Sequence, residues 1–106
     1  MNTAWMAGLF EGEGCITGQW TRCNYFAPRL SLKMTDFDVV NRFAEMADCG
    51  HLRIEETGHK PALRWTCTKR QDVRKLLALM LPFFGVRRGH KALDYLDMIE
   101  LDYGIQ

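Results

Sequence analysis

A chain of 106 residues, 47% hydrophobic and 25% charged, has room for a modest core, and one domain spanning 1–106 is expected. Fourteen Lys and Arg stand against thirteen Asp and Glu, a formal charge of +1. That excludes a uniformly basic nucleic-acid binder, so a nucleic-acid partner would need the positive charge gathered on one face.

No apolar run approaches the roughly 18 residues of a membrane span, and no basic segment precedes an apolar one at the N-terminus. No membrane partner is expected, and an intracellular, non-secreted protein is. The four cysteines, Cys15, Cys23, Cys49 and Cys67, are irregularly spaced with no C-x-x-C pair. They read as reduced thiols rather than as a zinc site.

In chain order, residues 5–14 (WMAGLFEGEG) read as a short helix ending in a turn between two glycines. Asn2 or Thr3 is placed to cap its start. Gly8 and Gly12 are four apart, so they share a face on which another backbone can come close. Glu11 and Glu13 fall at the helix C-terminus, where the macrodipole is already negative. A divalent cation would correct that mismatch, because oxygen ligands suit Mg²⁺ or Ca²⁺.

Residues 15–21 alternate as a strand, with Ile16 and Trp20 on one side and Cys15, Thr17, Gln19 and Thr21 on the other. After a turn at 22–24, residues 25–35 alternate again. Leu30, Leu32 and Met34 oppose Arg29, Ser31 and Lys33, so the two strands form a hairpin. A helix starts near Thr35-Asp36, where Asp38 completes a capping-box-like signal. Val39, Val40, Phe43, Met46 and Ala47 form its apolar stripe, and Cys49-Gly50 ends it.

A second hairpin turns at 57–61. Leu52 and Ile54 on its first strand, and Leu63, Trp65 and Cys67 on its second, are expected to face the core. His51, Arg53, Glu55, Arg64, Thr66 and Thr68 face outward. A helix over 71–81 stops near Pro82. Gly85 and Gly89 bracket a basic loop, and a last helix over 90–103 turns Leu93, Leu96, Met98 and Ile99 inward.

Residues 6–14, MAGLFEGEG, resemble the LAGLIDADG motif of homing endonucleases position by position. Glu11 and Glu13 stand at the two acidic positions, and Gly8 and Gly14 at the two glycines. The order helix, hairpin, helix, hairpin, helix, helix extends the resemblance over nearly the whole chain. It implies an α+β, αββαββα fold with a four-stranded antiparallel, saddle-like sheet covered by helices on one face. A single copy of the motif implies a homodimer.

The resemblance implies a metal-dependent endonuclease on double-stranded DNA, with Mg²⁺ as cofactor and Mn²⁺ or Ca²⁺ able to occupy its place. Glu13 is then a catalytic metal ligand, with the Gly12 carbonyl beside it. Asp36 orients the attacking water, and Arg87 stabilises the transition state; Arg87 cannot serve as a base. A further basic residue of some members falls near Val40. Two copies of the first helix would meet through Ala7, Gly8, Glu11 and Gly12.

The outward strand residues Thr17, Gln19, Arg29, Ser31, Lys33, Arg53, Arg64 and Thr66 suit groove contacts, with Arg88 and Lys91 near phosphates. Plainer readings stand beside these. A polar sheet face can simply be solvated, Asp36 can be an N-cap, and Glu11 can be structural. Arg87, Arg88, His90 and Lys91 sit at a helix N-terminus, where either solvent or a bound phosphate would satisfy them. A silent relative binding DNA as a regulator or RNA as a maturase is the alternative function. A dimeric interaction module with no nucleic acid is a third.

Overall fold

The Asn2 side chain accepts a hydrogen bond from the Trp5 N–H at 2.9 Å and so caps the first helix, α1 (Thr3–Glu13). The computed structural model describes residues 2–23, 25–58 and 60–105, apart from the side chains of 57 and 101–105. Asn24 of the first expected turn and His59 of the second lie outside the described residues. Helix α1 runs through both glutamates instead of stopping in a turn between glycines. Gly14 caps it in extended conformation and opens strand β1 (Gly14–Trp20) directly. A Cβ on Gly14 would lie 2.5 Å from the Phe10 ring, so the chain leaves the helix there only because glycine has none.

Strands β1, β2 (Phe26–Met34), β3 (His51–Thr57) and β4 (Lys60–Cys67) form one antiparallel sheet in the order β1-β2-β4-β3. The register aligns Gly14 with Leu32, Ile16 with Leu30 and Leu32 with Trp65, which gives one continuous apolar face. The other face carries the rows Thr17–Arg29, Cys15–Ser31–Thr66–His51 and Lys33–Arg64–Arg53.

The helices cover the apolar face: α1, α2 (Phe37–Ala47), α3 (Arg70–Met80) and α4 (Val86–Ile105), with a 3₁₀ turn at Leu81–Phe83 holding Pro82. Phe10, Phe43 and Trp65 meet at the centre, with ring centroids 6.0 and 4.9 Å apart. Leu30, Leu32, Val73, Leu77 and Ile99 close around them. Helix α2 stops at Asp48 in left-handed conformation, and Gly50 follows at φ +91°. At Gly50 a Cβ would lie 2.8 Å from the Thr66 carbonyl, so glycine is required on both counts.

Several sequence expectations need correcting. Leu52 and Ile54 have the right parity for the core but are 46% and 57% exposed, because β3 is the sheet edge. Leu93 is also exposed; Ala92 and Ile99 carry α4 inward, and Tyr95 packs edge-on against Phe26. Residues 86–89 are the first turn of α4, not a loop. Among the described residues, no helix is long and apolar enough to cross a membrane.

Candidate active site and nucleic-acid face

Gly14 pairs with Leu32, so the register sets the end of α1 beside the end of β2. Glu13, Lys33, Met34, Thr35, Asp36 and Ala62 line one pocket of about 360 Å³. Asp36 is the residue before α2, but its side chain makes no capping hydrogen bond. The N-cap position falls on Asp36 rather than Thr35, so the capping box expected from Thr35 and Asp38 does not form. The Glu13 and Asp36 carboxylates take up no ion pair or hydrogen bond with another described residue. Lys33, expected only as a DNA contact, joins them. Its parity pointed outward, but its place beside Glu13 depends on β1–β2 pairing and was hidden from local sequence.

The donor set suits a hard cation. Glu13 offers a carboxylate, and the Gly12 carbonyl belongs to the last helical turn, where carbonyls lack intrahelical donors.

Glu11 behaves differently. Its Oε1 accepts the Gly85 N–H at 2.9 Å and its Oε2 lies 3.3 Å from Arg88 Nε. Arg88 also donates to the carbonyls of Gly14 and Glu11, at 3.1 and 3.2 Å. The C-terminus of α1 thus abuts the N-terminus of α4, and the negative end of one dipole faces the positive end of the other. The electrostatic mismatches at these two ends partly resolve each other, without phosphate or metal. Arg88 is correspondingly turned into the protein and does not stand free for DNA.

Arg87 and Lys91 line a different pocket, with Glu11, Gly14, Cys15, Ile16 and Arg88. The structure does not bring Arg87 into the pocket of Glu13 and Asp36. Val40, where a further basic residue was sought, is buried.

On the open sheet face, Thr17, Gln19, Arg29 and Arg53 are exposed, and Arg64 and Thr66 are half-buried. Thr17, Gln19 and Arg29 line a groove of about 480 Å³ together with Tyr25 and Thr68. Ser31, only 7% exposed, sits between β1 and β4 with little surface to offer a base. Glu55 stands among these cations, a role that its place in the sequence does not reveal. It accepts from Arg64 Nε at 2.8 Å and pairs with Lys33 Nζ at 3.1 Å. Those bonds, Arg64's first, hold its carboxyl below the usual range.

Gly8 and Gly12 are exposed, and a Cβ at either would meet nothing within 4 Å. Ala7 is fully buried in the core and cannot join them at an interface. Ala4, one turn before Gly8 on the same face, is exposed instead.

The family described as LAGLIDADG endonuclease matches residues 6–101. Among solved structures, the chain is similar to the homing endonuclease I-CvuI in complex with its target in the presence of 2 mM Ca. The TM-score is 0.79 at 20% identity, covering 93% of this chain and 66% of that one. The same enzyme with the I-CreI target and 2 mM Mg, its DNA not cleaved, gives 0.80 at 19% identity over the same shares, 93% and 66%. The group I intron-encoded homing endonuclease I-CeuI complexed with DNA gives 0.78 at 17% identity, covering 97% of this chain and 56% of that one. At these identities the likeness is one of fold. This chain spans no more than 66% of the length of these structures. No curated protein sequence matches it.

Proposed function

This chain belongs to the LAGLIDADG endonuclease family, and from that premise we propose that it is a site-specific DNA endonuclease of the homing type. It hydrolyses both strands of a long, near-palindromic site with a divalent metal, Mg²⁺ first among the candidates. The observation that carries this reading is the pocket in which Glu13 and Asp36, free of other described partners, meet Lys33 beside a basic sheet face.

In this reading Glu13 and the Gly12 carbonyl hold the ion. When bound, the ion lowers the pKa of a water and offsets charge on the phosphate oxygens. The Asp36 carboxylate orients that water by accepting its proton in a hydrogen bond. The Lys33 ammonium lies where it can offset phosphate charge, while Glu55 fixes its position. Arg29, Arg53, Arg64, Thr17 and Gln19 lie along the duplex, and Arg87 and Lys91 reach its phosphates from α4.

One such pocket per chain serves one strand, so cutting both strands requires two copies. The Ala4, Gly8 and Gly12 face of α1 is the surface on which two chains would pack, each bringing its Glu13 to the two-fold axis. A catalytically silent DNA-binding relative is the second reading. It is favoured by the separation of Arg87 from Glu13 and by the apolar, buried residue at Val40.

The test is cleavage of a randomised DNA library by the purified protein, with Mg²⁺ and with EDTA, read by sequencing the ends. Metal-dependent double-strand cuts at one near-palindromic sequence are expected. Retention of DNA with no cut under any divalent metal would replace this reading with the silent binder.

A further inference from the structure

We propose that Cys49, Cys67 and Asp72 form a binding site for a soft divalent cation, zinc by chemical class, at the end of the molecule where α2, β4 and α3 meet. The two sulfurs and a carboxylate oxygen lie within 4.8 Å of one another, and each comes from a different segment of the chain. Cys49 follows the left-handed end of α2, Cys67 closes β4, and Asp72 is in the first turn of α3. A tetrahedral zinc with bonds of about 2.0–2.3 Å needs its donors roughly 3.5–3.8 Å apart, a contraction of up to about 1.3 Å.

The surroundings are arranged as a thiolate site would require. Trp65 Nε1 donates to the Cys49 carbonyl at 2.8 Å and so fixes the backbone that carries one sulfur. The Lys69 backbone N–H bonds to the Cys67 sulfur, just before the N-terminus of α3, and Lys75 lies near Cys49. Cys67 is buried while Cys49 and Asp72 are half-exposed, so an ion can enter from one side. Three protein donors leave a fourth position for water.

Without a cation the same geometry is unfavourable. Burial first, and then the neighbouring sulfur and carboxylate, push the Cys67 thiol up to about 12, while burial and then the Asp72 carboxylate raise that of Cys49. Three groups whose charged forms oppose one another converge on one point, and a divalent cation reverses the sign of that interaction. Binding replaces the two thiol protons, which leave to solvent, so affinity rises with pH. Thiolate donors set this site apart from the all-oxygen pocket at Glu13, which suits a hard cation.

The test uses the full chain, reduced, titrated with Co²⁺ and then Zn²⁺. One equivalent of Co²⁺ is expected to give thiolate-to-metal charge-transfer absorption, which Zn²⁺ removes and excess Mg²⁺ leaves intact. Zinc at a hundred times its dissociation constant should raise the melting temperature by about 10 °C. Both signals should persist in Glu13→Gln and in the double variant Cys15→Ser, Cys23→Ser. Both should be lost in Cys49→Ser, whose circular dichroism reports that it stays folded. Absence of the band would overturn the proposal, as would its survival in Cys49→Ser or its loss in the Cys15, Cys23 double variant. A Cys49–Cys67 disulfide forming under air with no metal uptake by the reduced protein would replace it with a redox pair.

Discussion

Glu11 and Glu13 are two residues apart and chemically identical, yet the fold gives them opposite circumstances. Glu11 is engaged by Gly85 and Arg88, whereas Glu13 opens into the pocket with Asp36 and Lys33. Glu13→Gln is therefore expected to cut at least about a hundredfold more slowly while keeping its DNA affinity, measured by cleavage and by gel shift on the same duplex. Retained nicking would remove Glu13 from the role of ion ligand. Arg88→Ala should behave in another way. It removes two charge-assisted bonds, to the carbonyls of Glu11 and Gly14, and a half-exposed ion pair, so unfolding in urea should show a loss of about 2 kcal/mol. The sequence marked Glu11, Glu13 and Arg88 as charged and out of place at helix ends. It could not say that Glu11 and Arg88 answer each other, because that contact spans 77 positions and no local period encodes it.

At the scale of elements, periodicity reported direction well and coverage poorly. Strands β2 and β4 lie inside the sheet, and Leu30, Leu32, Leu63, Trp65 and Cys67 are buried as expected, with Met34 half-buried at the end of β2. Strand β3 alternates just as clearly, but at the edge no helix reaches over Leu52 and Ile54. The two basic residues before His90 looked like loop because Gly85 and Gly89 flank them. The helix nevertheless starts at Val86, where the Glu11 carboxylate meets the Gly85 N–H at its N-terminal end. On α1, Ala7 turns inward and Ala4 outward, and the helix continues through Glu13. The exposed glycines yield a clean test of assembly. A Cβ at Gly8 meets nothing within 4 Å, and Leu there removes a helix-interior glycine, so the monomer should lose no stability. Gly8→Leu is expected to sediment as a folded monomer where the parent sediments as a dimer; an unchanged dimer would place the interface elsewhere.

Over the whole molecule, a formal charge of +1 conceals a segregation. Arg29, Lys33, Arg53 and Arg64 lie on the open sheet face, while Asp94, Asp97 and Glu100 are exposed on α4, Glu100 paired with Arg74. Glu55 is the counterweight on the basic face. Its depressed carboxyl pKa means that its pairs with Arg64 and Lys33 are present at neutral pH and are lost only as pH falls through that lowered value. Glu55→Gln should release both cations, strengthen non-specific DNA binding and steepen the dependence of log affinity on log salt by about 1. A salt titration with an unrelated duplex checks this, and an unchanged slope would mean that the face does not meet phosphate.

The junction of Glu11, Gly85 and Arg88 also sets a schedule. The segment that carries Glu13 is made more than 70 residues before the one that steadies it. Closing a loop of more than 70 residues is entropically slow to be rewarded. A nascent chain that has not yet released α4 therefore has the motif but not its support. By this ordering, the Glu13 end of α1 gains its support only after α4 has emerged from the ribosome.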